Sequence, residues 1–100
     1  MLRWLYTSAS DLLAGIVDDI YGASFLHGTV TGNPMDVNGH GTFMSGVIGA
    51  MGNSGVSGVN KKHSLISCQF LDAAGYGLVC DAIQCNDYCL SKGAHILALS

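Results

Sequence analysis

The chain has 100 residues, of which 11% are charged against roughly 25% in typical globular chains, while 49% are hydrophobic. A self-contained domain of this size carries more polar material to wrap its core, so the composition reads as an interior slice of a larger α/β domain whose remaining chain covers the exposed apolar faces. A net charge of −3 with four Lys or Arg and no basic stripe excludes nucleic acid as a partner, and no apolar run approaches the ~20 residues of a membrane span.

Met1 to Ala14 mixes one Arg with alternating polar residues, so no signal peptide is visible there. A short apolar run, Leu12 to Val17, an acidic pair, Asp18-Asp19, and an aromatic segment, Tyr21 to Leu26, follow in a loop-rich beginning. After the turn formers Gly32-Asn33-Pro34, Met44, Val47, Ile48 and Met51 fall at the i, i+3, i+4, i+7 spacing of one helix face, predicting a helix over Thr42 to Met51. Its other faces hold Ser45, Gly46, Gly49 and Ala50. Each interior Gly costs about 1 kcal/mol relative to Ala, a cost compatible with close approach of neighbouring backbone in the centre of a packed domain.

A glycine-rich turn, Gly52 to Gly58, leads to Leu65 to Leu71, a mostly apolar run suited to a buried strand. The loop Asp72 to Gly77 precedes a second helix, Val79 to Ser91, with Ala82, Ile83, Cys85, Cys89 and Leu90 available for an inner face. Gly93 ends it in the left-handed cap conformation. His95 to Ser100 is a further apolar run, and the order strand, helix, strand implies a right-handed crossover between parallel strands.

Asn38-Gly39-His40-Gly41-Thr42 carries the chemistry. Glycine neighbours leave one face of the His40 ring open, and the partial positive charge of a helix start favours the neutral imidazole that a general base needs. A capping or surface histidine is the plain alternative. Asp36-x-x-Gly39-His40-Gly41-Thr42-x-x-Ser45-Gly46 resembles the histidine signature of the subtilase family of serine proteases, with Ser45 where Ala is common. Val17-Asp18-Asp19-Ile20-Tyr21-Gly22, the turn Gly52 to Asn60, Phe70-Leu71-Asp72-x-x-Gly75-x-Gly77 and Asp81-Ala82-Ile83 are similar to further segments of that family. The likeness covers residues 17–100, the N-terminal part of a catalytic domain, with 1–16 matching poorly.

The resemblance implies a partial three-layer α/β fold, a parallel sheet flanked by helices, and proteolysis of peptide or protein substrates. It makes His40 the general base. It makes Gly75 to Gly77 a strand-like segment that pairs with extended peptide, Leu71 an apolar wall beside the scissile bond and Ser100 the start of the primary pocket lining. No cofactor is required for the chemistry. Calcium, the family's usual structural ion, would find ligands in Asn53, Asp18 and Asp19, for which a turn asparagine and a solvated acidic pair are the plain readings.

In such proteases the nucleophilic serine and the oxyanion-hole asparagine follow beyond the position of Ser100. The Asp-Ser-Gly or Asp-Thr-Gly of the triad aspartate is not matched before Val17, since Asp11 lies in Ser-Asp-Leu-Leu. The expectation is therefore a polypeptide inactive alone that needs the remainder of the catalytic domain, or else a peptide-binding pseudoenzyme. Cys68, Cys80, Cys85 and Cys89, with Asp87-Tyr88-Cys89, look similar to subtilases of protozoan parasites and imply a secretory or extracellular setting. Cys68 and Cys85 pair, or all four are free thiols; both readings stand. Gly75-x-Gly77 lacks the third glycine of a dinucleotide site, and His40, His63, His95 and the cysteines lack zinc-ligand spacing.

Overall fold

The computed structural model describes residues 3–4, 22–50, 52, 55–60 and 64–99. Asp11, Asp18, Asp19, Asn53, His63 and Ser100 lie outside the described residues, as do Val17 to Tyr21. Strand β2, Gly22–Leu26, pairs antiparallel with β3, Thr29–Thr31, and parallel with β5, Ser67–Gln69. A second pairing, also parallel, joins β1, Arg3–Trp4, to β4, Ser64–Leu65. Helices α1, His40–Gly49, and α2, Val79–Ser91, complete an α/β arrangement with a mixed sheet.

The hairpin β2–β3 closes through two residues, His27 at φ 50° and Gly28 at φ 80°. Positive φ at both central positions is the twist-matched geometry of the shortest hairpins, costly for a residue with a Cβ such as His27. That conformation is held from outside. The carboxylate of Asp81, buried in the first turn of α2, accepts the His27 N–H at 2.8 Å and the Gly28 N–H at 3.4 Å.

Helix α2 packs on β2 and β5 through Ile66, Cys68, Cys85 and Cys89, with Phe25, Phe70, Tyr88 and Ala94 around them. Cys68 on β5 and Cys85 on α2 form a disulfide with Cα atoms 5.7 Å apart, resolving the alternative left by the sequence, while Cys80 and Cys89 are free. The inner face is Asp81, Cys85 and Cys89, each four residues on. Ile83 and Leu90, expected to face inward, are instead 55% and 58% exposed. The disulfide and the Asp81 bonds fix the helix rotation, and at 100° per residue that turns Ile83 and Leu90 away. Gly93 at φ 80° ends the helix as expected. Ala94 N–H bonds Cys89 C=O and Gly93 N–H bonds Leu90 C=O, the paired closure of a glycine cap.

Helix α1 likewise buries a different face from the one its apolar spacing suggests. Ser45, Gly46 and Gly49 are buried, whereas of the expected face Met44 and Ile48 are half-buried and Val47 is 47% exposed. The small residues admit backbone: a Cβ on Gly58 would collide with the main chain of Gly49 and Ala50. Gly58, Val59 and Asn60 N–H groups bond the carbonyls of Ala50, Val47 and Ile48 at 2.8, 3.1 and 3.0 Å. The returning chain thus satisfies the helix end that would otherwise lack partners. The buried-strand expectation holds for Ser67–Gln69 within Leu65 to Leu71. It fails for His95 onward: residues 95–99 form no strand, and Ile96, Leu97 and Leu99 are exposed. No described strand lies alongside to pair with them.

Candidate active-site segment

The site is built outward from β5. Gln69, buried on that strand, accepts a 3.0 Å hydrogen bond from the Ser24 hydroxyl of β2 and donates one of 2.9 Å to the Met35 carbonyl. Pro34 packs against Gly22, where a Cβ would lie 2.8 Å from its ring. Both contacts hold the approach to Asp36 against the sheet.

Asp36 then organises the start of α1. One carboxylate oxygen accepts the N–H groups of Asn38 at 3.0 Å and Gly39 at 2.8 Å. The other accepts Thr42 N–H at 3.0 Å and the Thr42 hydroxyl at 2.6 Å. Gly39, the residue before the helix, has φ 99° and no side chain with which to cap it. Asp36 does that work from three residues upstream. Burial by itself would raise its pKa, but the Thr42 hydroxyl and the Gly39, Asn38 and Thr42 amides together bring it down to about 2. The Asp and Thr of the signature are therefore partners across the start of α1.

His40 is the first residue of α1 and is exposed. Its N–H donates to Asn38 Oδ1 at 3.2 Å, and Asn38 Nδ2 donates to the Ala73 carbonyl at 2.8 Å. One side chain thus joins the histidine's backbone to the loop 72–77. That loop is locked by Asp72, whose carboxylate accepts Ala74 N–H and Tyr76 N–H, both at 3.0 Å. Its main chain closes through Asp72 N–H to Tyr76 C=O and Gly75 N–H to Asp72 C=O. The Tyr76 amide most strongly, then the Ala74 amide and the nearby His27 ring, hold the Asp72 carboxyl below its usual range against an opposing desolvation. His27 Nε2 lies 3.4 Å from Asp72 Oδ2.

Gly75, at φ 86°, sits in this turn rather than in extended backbone. Gly77 follows it, and any Cβ there would strike the Phe70 carbonyl and come within 2.9 Å of Leu71 Cδ2. Leu71 is half-buried. The structure thus brings Leu71 and Gly77 into one patch and ties His40 to the adjoining turn through Asn38. In the sequence Asn38 and Asp72 stood out only as members of motifs, with no role of their own, and Gln69 not at all. An Asx turn at Asp72-Ala73-Ala74 was a detectable signal, whereas the long-range Gln69 and Asn38 contacts carry none. Among the described residues, no group of three or more His, Cys, Asp or Glu is placed to hold a metal ion, and no helix is long and apolar enough to cross a membrane.

The motif at His40 and the comparisons with known proteins together identify the chain as a segment of subtilisin-like serine protease sequence, a hydrolase by family. It is similar to malaria-parasite proteins. It is 51% identical over 85 residues to Subtilisin-like protease 1 of Plasmodium falciparum (isolate 3D7), covering 83% of this chain and 12% of that protein. The Plasmodium vivax Subtilisin-like protease 1 is 45% identical over 85 residues, covering 83% and 13%. Subtilisin-like protease 3 of P. falciparum is 37% identical over 68 residues, covering 65% and 9%. The chain thus spans roughly an eighth of the length of the first two relatives. No protein-family profile matches it.

Proposed function

We propose that this chain is the part of a serine endopeptidase that supplies the general base, His40, and a backbone surface near Leu71 and Gly77 against which an extended peptide lies. The observation that carries the reading is the Asp36-capped helix start, which presents His40 on the surface and is joined by Asn38 to the loop 72–77. His40 would take the proton of a serine hydroxyl and return it to the leaving amine. The reading takes the nucleophilic serine from elsewhere in the protease domain and assigns none of the described carboxylates as the partner that orients the ring. Asp36 cannot orient the ring in this geometry, because its oxygens are engaged by Asn38, Gly39 and Thr42.

The polypeptide alone therefore does not hydrolyse peptides. A fluorophosphonate probe, which needs an activated serine, leaves it unlabelled; labelling at any residue contradicts the proposal. Peptide binding without cleavage by a pseudoenzyme is the second reading, favoured if isothermal titration detects extended peptides while a chain completed with a serine-bearing segment still cleaves none. The Cys68–Cys85 disulfide supports a secretory or extracellular setting, where such bonds persist. Calcium is proposed as a structural ion at Asn53, Asp18 and Asp19, with no part in the chemistry.

A further inference from the structure

Building on that functional reading, we propose that Asn38 is a positioning residue, a tether whose amide sets the separation between the general base and the peptide-pairing loop. Both ends of the side chain are chemically assigned. The His40 N–H can only donate, so it faces Oδ1 at 3.2 Å, and the Ala73 carbonyl can only accept, so it faces Nδ2 at 2.8 Å.

The far end of the tether grips a rigid object. Asp72 accepts two amides of the turn and the main chain closes it twice, so a hold on Ala73 moves residues 72–76 as a unit. Gly77 leaves this unit pressed on Phe70 and Leu71, which fixes its other end. The near end is equally fixed, because Asp36 holds the Asn38 and Gly39 amides and the first turn of α1. Two locally rigid pieces, 35 residues apart in sequence, are thus bridged by one amide. The His27 to Asp72 contact steadies the same turn from the hairpin, but at 3.4 Å and largely open to water it is a weaker hold. An amide also suits the task chemically, since it donates at one end and accepts at the other without changing charge between acid and neutral pH.

The test uses Asn38→Asp and Asn38→Ala in the full chain labelled with 15N. Asp retains the acceptor for the His40 amide but, when ionised, has no proton to donate to Ala73. At pH 7 the Asn38→Asp loop amides from Ala73 to Gly77 fall in order parameter from about 0.85 to below about 0.6, while α1 amides keep wild-type values. As the pH falls through the new carboxyl's own titration, followed by its 13C shift, the protonated acid regains a donor and loop order returns. Asn38→Ala shows the loss at every pH, and wild type at none. Extended-peptide affinity in Asn38→Asp falls about tenfold at pH 7 and recovers with loop order. Unchanged loop order at pH 7 overturns the tether, as does a loss with no acid recovery. A wild-type chain that binds no peptide overturns the functional reading instead, and the tether is then decided by loop order alone.

Discussion

Asp36 shows how much one carboxylate does at this site. Four hydrogen bonds bring its pKa down to about 2 although burial pushes it up, so its ionised form is stabilised more in the folded chain than in the unfolded one, where an Asp titrates at about 3.9. The sign follows: this stabilisation is complete above about pH 4 and is lost as the pH falls toward 2. Asp36→Asn should cost about 1–2 kcal/mol at pH 7 and flatten the acid limb of stability, read as thermal midpoints by circular dichroism between pH 2 and 7. An equal loss at pH 2 and pH 7 would contradict it. The free cysteines differ in the same local way. Burial raises the Cys89 thiol to about 11, whereas Cys80 is exposed, so maleimide should label Cys80 in the native chain and Cys89 only after unfolding. Peptide mapping distinguishes them.

At the scale of elements, what was legible in the sequence was what local rules decide. The start of α2 at Val79 and its Gly93 cap follow from spacing and from glycine's freedom at positive φ. The His40 helix was legible in existence but not in orientation. Its apolar spacing pointed to Met44, Val47, Ile48 and Met51, yet full burial went to Ser45, Gly46 and Gly49 while Met44 and Ile48 are half-buried, because backbone from Gly58 to Asn60 occupies that side. Such a partner lies beyond the window in which periodicity is informative. The two glycines of the loop 72–77 separate strain from collision. Gly75→Ala places a Cβ in open space at φ 86° and should cost about 1–2 kcal/mol. Gly77→Ala drives a Cβ into the Phe70 carbonyl and should cost more, about 3 kcal/mol or above. Urea unfolding of both variants gives the order directly. Replacing both Cys68 and Cys85 by Ser removes a link across 17 residues and should cost about 3 kcal/mol by the same measurement.

For the molecule as a whole, the low charge count anticipated faces left open to water, and Phe43, Val47, Ile83 and Leu90 are such faces. The fold class and the histidine motif were legible because each depends on short-range pattern. The contacts that turn the motif into a site were not, since Gln69 to Met35 and Asn38 to Ala73 each span more than thirty residues. The central claim is that His40 serves as the base of a subtilisin-like protease once the rest of the domain is supplied. The most direct measurement puts the matched segment of this chain in place of its counterpart in P. falciparum Subtilisin-like protease 1 and follows hydrolysis of a peptide cleaved by that enzyme. The prediction is that the chimera cleaves the peptide and that His40→Ala lowers kcat by about 10⁴ or more with a smaller change in KM. A folded chimera whose cleavage survives His40→Ala would contradict it.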